Sequence, residues 1–174
     1  MIEVVLPEYR ELFYNDTKIK LVYAERKCGK TRYCIQEMLK HCMRTDSNIW
    51  VCGTVNNKSQ VHELILMFMD RAKIKYLDMK DSIQLQNGTL ISFMQKPVKF
   101  TSVIPDLVIA EEPELTDITD LVNAVSDRNG VPTGHLVITT SKDEVYWDIL
   151  DKIQDMHFNI IRGFIPKGVN SITF

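Results

Sequence analysis

Residues 24–31 read Ala24-Glu25-Arg26-Lys27-Cys28-Gly29-Lys30-Thr31, and they follow directly on the mainly apolar run 19–23. That run predicts a strand, and apolar residues at positions 35, 38, 39 and 42 predict an amphipathic helix after the loop. A loop that ends Gly-Lys-Thr between a strand and a helix is typical of a phosphate-binding P-loop. The pattern has one departure, because Ala24 stands where a glycine is usual and restricts the backbone at the loop entrance.

The chemistry of a P-loop gives each part of this stretch a role. We assign all of residues 24–31 to nucleotide binding, because the backbone N–H groups of such a loop surround a polyphosphate. We expect Lys30 to reach the terminal phosphates and the Thr31 hydroxyl to ligate Mg²⁺. A Gly-Lys-Thr tripeptide also occurs by chance, and it is the flanking strand and helix that favour a nucleotide site here.

The overall composition limits the classes of protein to which the chain can belong. At 174 residues the chain suits one domain with room for a central sheet, and 45% hydrophobic with 25% charged residues is ordinary for a globular protein. The net charge of −2 does not indicate a nucleic-acid binder, so any such contact must be local, transient or made by an assembly. No apolar run approaches the length of a membrane span. The four cysteines form no C-x-x-C pair, which favours free thiols in a reducing compartment.

Strand-like apolar runs alternate with amphipathic helices along the chain. This order predicts an α/β sandwich with a mainly parallel sheet. Asn87-Gly88 predicts a two-residue hairpin turn, Asn56-Asn57 a polar turn, Thr116 a helix cap and residues 141–144 a capping box. The predicted strands and helix faces after the first helix are strands 49–52, 83–86, 89–93, 107–110, 135–139 and 158–161, and helix faces 61–69, 118–125 and 145–153.

Two glutamates end the most apolar strand. The run 107–110 delivers Glu111 and Glu112 to the carboxyl end of the predicted sheet, where open α/β sheets bind ligands. We assign Glu111 to the metal and Glu112 to activation of the attacking water, as in a P-loop ATPase. The first position is usually Asp, and Pro113 breaks the chain directly after the pair. A solvated acidic junction is the alternative, and the P-loop upstream favours the functional interpretation.

The order of these motifs resembles the ATPase domain of the large terminase subunit, the DNA-packaging motor of tailed bacteriophages. The resemblance rests on Arg26 at the third P-loop position, the hairpin segment 86–93, the acidic strand 106–112 and Thr139-Thr140-Ser141 in the place of the coupling motif. It implies an α/β fold of the P-loop NTPase type (ASCE/RecA-like), a three-layer sandwich with a mainly parallel central sheet. The short segment 12–15 is similar to that of smaller packaging ATPases without a nuclease.

The resemblance also implies a function. It indicates an ATP hydrolase that uses ATP and Mg²⁺ and couples hydrolysis to translocation of double-stranded DNA. Thr139 and Thr140 would then lie at the nucleotide and, with Ser141, transmit its state. The implied partners are the viral portal and procapsid and further copies in a homo-oligomeric ring, with no membrane. The implied location is the host cytoplasm, transiently at the procapsid, and the isolated chain is expected to be monomeric and weakly active.

Two arginines are candidates for neutralising charge in the transition state. Arg26 would act in cis, and the alternative is an exposed loop arginine. Arg128 would reach a neighbouring subunit's site, as the resemblance implies for an arginine in that region. The alternative for Arg128 is a helix C-terminal cation favoured by the macrodipole. The sequence leaves both choices open.

Three further side chains carry weaker hypotheses. Tyr14 is a candidate for stacking on adenine, although a core or surface aromatic is the simpler interpretation. Lys96 and Lys99 are candidates for contacts with DNA phosphates, against the alternative of a solvated basic stretch.

The resemblance implies one P-loop ATPase domain over residues 1–174, with no nuclease domain. A complete large terminase adds a nuclease, so we expect either an excised ATPase domain or an unusual stand-alone form. A helicase-like ATPase would need a second RecA-like domain and more motif arginines. A small-molecule nucleotide kinase would need a basic lid, yet residues 113–127 contain no Lys or Arg. A scaffold that binds nucleotide without hydrolysing it is the third alternative.

Overall fold

The computed structural model describes residues 7–44, 46–53, 55–95, 103–156 and 158–165. Within these ranges the strands are β1 (Ile19–Ala24), β2 (Asn48–Cys52), β3 (Tyr76–Met79), β4 (Ser82–Leu85), β5 (Leu90–Met94), β6 (Leu107–Glu111), β7 (His135–Thr140) and β8 (Ile160–Ile165). The α-helices of the same ranges are α1 (Arg10–Tyr14), α2 (Lys30–Cys42), α3 (Val55–Arg71), α4 (Ile118–Ala124) and α5 (Asp143–Asp155).

The strands described form one sheet in the order β3-β4-β5-β2-β6-β7-β1-β8. All pairs from β5 to β8 are parallel, and the hairpin strands β3, β4 and β5 pair in antiparallel fashion. Strand β7 lies between β1, which leads into the P-loop, and β6, which ends in the acidic pair. The predicted α/β fold with a mainly parallel sheet is therefore confirmed.

Helices cover both faces of the sheet. Every position of β1 is buried, as expected of a strand with a helical layer on each side. One face packs on α1, α2 and α3 in a cluster that includes Leu12, Met38 and Ile65. The other face packs on α4 and α5 in a cluster that includes Ile118 and Ile149. The result is the three-layer sandwich that the sequence predicts.

A buried ion pair joins three elements beneath the P-loop. The Lys20 ammonium of β1 donates to the Glu37 carboxylate of α2 at 2.6 Å and to the Leu12 carbonyl of α1 at 2.6 Å. The Lys20 and Glu37 side chains are 3% and 2% exposed. Burial lowers the pKa of Lys20, and the Glu37 charge works against that shift. Removing either partner would leave an uncompensated buried charge, so the pair fixes how α1 and α2 lie on β1.

Several local predictions are confirmed. A hairpin joins β4 to β5 at Asn87-Gly88, as predicted, but the connection runs over residues 86–89 and is not a two-residue turn. Gly88 has a left-handed φ of 89° and donates its N–H to the Leu85 carbonyl at 3.1 Å. The strands predicted at 49–52, 107–110 and 135–139 are β2, β6 and β7, each longer by one residue. The last strand begins at Ile160, two residues later than predicted.

Other local predictions are wrong. Thr116 lies inside a 3₁₀ turn, and Asp117 precedes α4 without a side-chain cap. Residues 141–144 form no capping box, because α5 begins at Asp143 and Lys142 makes no side-chain cap. The polar turn predicted at Asn56-Asn57 is part of α3, which begins at Val55. Strand β3 is unpredicted, and it lies at the edge of the sheet with Leu77 60% and Met79 37% exposed.

We predict that Gly134→Ala destabilises the fold. Gly134 is buried directly before β7, and an added Cβ would overlap the Pro105 carbonyl oxygen and lie 3.4 Å from Val125. Because the overlapped atom is backbone, the loop must shift, at a cost of about 1–3 kcal/mol in the free energy of unfolding. Urea denaturation measures the loss. Gly53→Ala is the matched control, since nothing lies within 4 Å of its added Cβ. Equal stability of the two variants would contradict the packing described here.

Candidate functional site

The P-loop joins the end of β1 to the start of α2. Lys27 and Gly29 have left-handed φ angles of 68° and 81°, and backbone N–H groups in such turns form a concave anion site. Ala24 is the last residue of β1, fully buried in the core, and it is absent from the residues with positive φ. The backbone at Ala24 therefore needs no glycine, and its methyl group packs in the core.

Lys30 links the loop to the acidic pair. It is the first residue of α2 and is 8% exposed. Its ammonium donates to the Ala24 carbonyl at 2.7 Å and to the Glu25 carbonyl at 3.3 Å. The Glu112 carboxylate lies 3.6 Å from the same nitrogen. The lysine of the P-loop and the second acid therefore face each other, as the sequence predicts.

Thr31 and Glu111 form the second link across the cleft. The Thr31 hydroxyl donates to the Glu111 carboxylate at 2.6 Å. Burial raises the pKa of Glu111, while the Thr31 hydrogen bond and the Lys30 charge oppose the rise. A hydroxyl and a carboxylate oxygen are hard ligands of the kind that Mg²⁺ prefers, so the pair fits that ion. The described residues contain no group of three or more His, Cys, Asp or Glu side chains that could hold a metal ion.

Glu112 is held in an unusual backbone conformation. Its φ of 53° is left-handed, which is uncommon for a residue with a side chain. Its N–H donates to the Thr139 carbonyl at 2.8 Å. Its carboxylate accepts from the Ser141 N–H at 3.0 Å and the Thr140 hydroxyl at 3.3 Å. The end of β7 thus fixes the direction of the carboxylate, and such strained residues cluster at functional sites.

The two predicted threonines lie on different sides of β7. Thr140 contacts the Glu112 carboxylate, whereas the buried Thr139 hydroxyl lies 3.9 Å from the Cys34 sulfur on α2. This separation follows from the alternation of side chains along a strand. The structure therefore brings Thr140 to the acidic pair and places the Thr139 side chain against α2.

Both predicted arginines are exposed. Arg26 is exposed on the P-loop. Arg128 is exposed in the turn between α4 and β7, where the Asp127 carboxylate accepts from the N–H groups of Asn129 and Val131 at 2.9 Å each. This turn leads into the first residue of β7, at the amino end of the strand. Glu112 lies at the opposite, carboxyl end of the parallel strands. Arg128 is therefore remote from its own P-loop, and its action in a neighbouring subunit stays a prediction.

Tyr14 is also remote from the P-loop. It is 72% exposed and packs edge-on against Phe13, whose carbonyl accepts from Lys40. Lys40 lies about 15 Å along α2 from Lys30, given the rise of a helix. The surface interpretation of Tyr14 is therefore favoured. Lys96 and Lys99 lie outside the described residues.

One contact of the P-loop was missed by the sequence analysis. The Tyr9 hydroxyl donates to the Cys28 carbonyl at 2.8 Å. No pattern around residue 9 links it to the loop, because the contact depends on how the segment before β1 folds back.

Among the residues described, no helix has the length and apolar character to cross a membrane.

Comparisons with known proteins support the fold. No protein-family model matches the sequence, and no curated protein matches it. The large terminase of a thermophilic bacteriophage, solved with ATP-γ-S, superposes with a TM-score of 0.69 at 11% identity, with 94% of this chain and 43% of that chain covered. The ATPase domain of the Thermus phage P74-26 large terminase gives 0.57 at 16% identity, with 74% of this chain and 62% of that chain covered. The N-terminal domain of the bacteriophage phi29 DNA packaging ATPase gives 0.52 at 17% identity, with 94% and 99% covered.

These likenesses establish the fold. The chain has the P-loop NTPase fold of the phage DNA-packaging ATPases, which confirms the fold class and the resemblance at the level of architecture. It spans 43% of the length of the thermophilic phage's large terminase. That enzyme has also been solved in complex with ADP, and the ADP complex gives a TM-score of 0.66 at 11% identity.

We predict that Glu111→Gln stabilises the protein in the absence of nucleotide at neutral pH. Because the pKa of Glu111 is raised, the folded protein holds this proton more tightly than the unfolded chain does. Ionisation therefore lowers the free energy of unfolding as pH rises from the ordinary glutamate value through the raised one. Urea denaturation at several pH values should show an advantage of the variant at pH 7 that disappears below the ordinary value. The control is Glu63→Gln at an exposed position of α3, and a less stable Glu111→Gln protein would contradict the prediction.

Proposed function

We propose that this chain is the ATP-hydrolysing part of a viral DNA-packaging motor. The observation that carries the proposal is the double link across the cleft, Thr31 to Glu111 at 2.6 Å and Lys30 to Glu112 at 3.6 Å. The P-loop lysine and hydroxyl face two carboxylates at the end of β6, which is separated from β1 by one strand. This arrangement suits ATP hydrolysis. The packaging-ATPase fold of the chain supports the motor over other P-loop enzymes.

The residues of the cleft divide the work of binding. The N–H groups of residues 24–31 cradle the phosphates, and Lys30 exchanges its carbonyl contacts for the β- and γ-phosphate oxygens. Thr31 and Glu111 would hold Mg²⁺. When bound, that ion neutralises charge on the phosphates. Mg²⁺ sites of this type need few protein ligands, because the substrate supplies the others.

Glu112 supplies the base. Its carboxylate accepts a proton from water as the water oxygen bonds to the γ-phosphorus and the bond to the β–γ bridging oxygen breaks, releasing ADP and phosphate. The contacts from Thr140 and Ser141 aim the carboxylate, and the ion pair with Lys30 is given up when the γ-phosphate takes its place. Arg26 in cis and Arg128 in trans would stabilise the developing charge.

The end of β7 couples the site to the rest of the domain. Ser141 contacts Glu112 through its N–H, and α5 begins two residues later at Asp143. A change in the position of Glu112 therefore acts on the start of α5. We infer that residues 1–174 form one ATPase domain that works in a homo-oligomeric ring on double-stranded DNA, in the host cytoplasm and transiently at the portal of the procapsid.

We predict that Glu112→Gln abolishes hydrolysis and preserves binding. Phosphate release should fall by about 100-fold or more, because a glutamine cannot accept the proton. Affinity for ATP, measured by calorimetry, should change much less. Glu63→Gln removes a carboxylate at an exposed position of α3 and should leave both quantities unchanged. Full hydrolysis by Glu112→Gln would remove the base from the proposal and support a different water-activating group.

We predict that double-stranded DNA stimulates the ATPase. Phosphate release is measured with ATP and Mg²⁺ alone, then with double-stranded DNA, single-stranded DNA or nucleoside monophosphates. Stimulation by double-stranded DNA is expected from a packaging motor. Stimulation by single strands alone would indicate a helicase-like enzyme, and ADP formation that depends on a monophosphate would indicate a kinase. Tight ATP binding with no hydrolysis in any mixture would indicate a scaffold.

A further inference from the structure

The segment before β1 is anchored beneath the P-loop by Tyr9. Tyr9 ends the 3₁₀ turn Pro7–Tyr9, and it is 1% exposed. Its hydroxyl donates to the Cys28 carbonyl at 2.8 Å, across a separation of 19 residues. The contact reaches the backbone of the P-loop itself, directly before Gly29.

Peptide geometry turns this hydrogen bond into a constraint on a neighbouring N–H group. The C=O and N–H of a trans peptide point in opposite directions, and the described chain contains no cis peptide bonds. With its carbonyl held by Tyr9, the Cys28–Gly29 peptide must direct the Gly29 N–H away from Tyr9. Gly29 has a left-handed φ of 81°, so this peptide adjoins the turn that forms the anion site.

We propose that Tyr9 is a positioning residue of the phosphate loop, whose hydroxyl fixes the Cys28–Gly29 peptide so that the Gly29 N–H faces the phosphates. The inference rests on the proposed function, because it presumes that the loop binds a nucleoside triphosphate.

The Tyr9 hydroxyl is well suited to hold a fixed direction. Its ring stacks on Tyr33 of α2, with 4.8 Å between centroids and 18° between planes. The Tyr33 hydroxyl donates to Glu37 at 2.7 Å, and Glu37 is the partner of Lys20. The stack joins the Tyr9 ring to α2, and the contact of the Tyr33 hydroxyl with Glu37 is separate from it.

The environment of Tyr9 indicates an effect on phosphate binding and none on binding of the nucleobase. Burial raises the pKa of the Tyr9 hydroxyl, so it stays protonated and remains a hydrogen-bond donor at every usable pH. One face of the ring is taken by Tyr33, and almost none of the residue is exposed. A nucleobase therefore has no access to the ring. The effect of Tyr9 should be the same for ATP and for a triphosphate that carries no base.

The test is Tyr9→Phe against Tyr33→Phe, which both remove one hydroxyl and keep the stack. We expect Tyr9→Phe to raise the Kd for ATP and the Kd for inorganic tripolyphosphate equally, by about 3- to 10-fold, as for the loss of one hydrogen bond. KM should rise by a similar factor with kcat little changed, because the N–H contact is made in the ground state and the transition state alike. Tyr33→Phe loses its bond to Glu37 and keeps the Cys28 contact, so it should lower the melting temperature and leave both Kd values within about twofold.

Each other outcome is decisive. Wild-type affinity in Tyr9→Phe, or an equal loss in Tyr33→Phe, would overturn the positioning role, as would a loss for ATP with none for tripolyphosphate. If Tyr9→Phe melts near the assay temperature, the titrations are run at 10 °C with the native fraction checked by circular dichroism. A wild-type protein that binds neither compound would instead refute the proposed function.

Discussion

The register of β7 is the constraint on which the rest of the site depends. Thr139 pairs with Val22 of β1 on one side and with Glu111 of β6 on the other. These two parallel ladders set the height of the P-loop against that of the acidic pair. A slip of one residue in either ladder would turn every side chain of the strand to the opposite face. The contacts from Thr31 to Glu111 and from Lys30 to Glu112 require both ladders to be in place.

Each charged group of the cleft has a polar partner within the cleft. Lys30 is almost fully buried, and it finds two carbonyl oxygens and one carboxylate. Glu111 has one hydroxyl donor, and burial still raises its pKa. The strained backbone of Glu112 also lowers the stability of the fold. The packing of helices on both faces of the parallel strands offsets these unfavourable free energies. The side chains of the site are thus already in contact in the absence of a ligand.

The sequence predicted the parts of the site that lie close together along the chain. The P-loop and the acidic strand carry strong local patterns, because a fully buried strand must be apolar throughout and a tight loop restricts its residue types. Caps were less predictable, since Thr116 and Ser141 have the right chemistry but their backbone is committed to other contacts. Strand β3 is mostly exposed on both faces, so it lacks the alternation that marks a strand. The Tyr9 contact spans the whole of β1 and arises only from tertiary packing, which no window of sequence contains.

The outer hairpin strand has a consequence for handling the protein at high concentration. Within the described residues β3 has a neighbour on one side only, so its other row of backbone groups is open to pairing with a foreign strand. Leu77 and Met79 add an apolar surface to that row, which favours aggregation edge to edge. The strand is only four residues long, and Asp78 and Lys80 interrupt the apolar surface with opposite charges. Short length and interleaved charge are the usual protection of an exposed edge, and we expect them to limit edge-to-edge association of this protein.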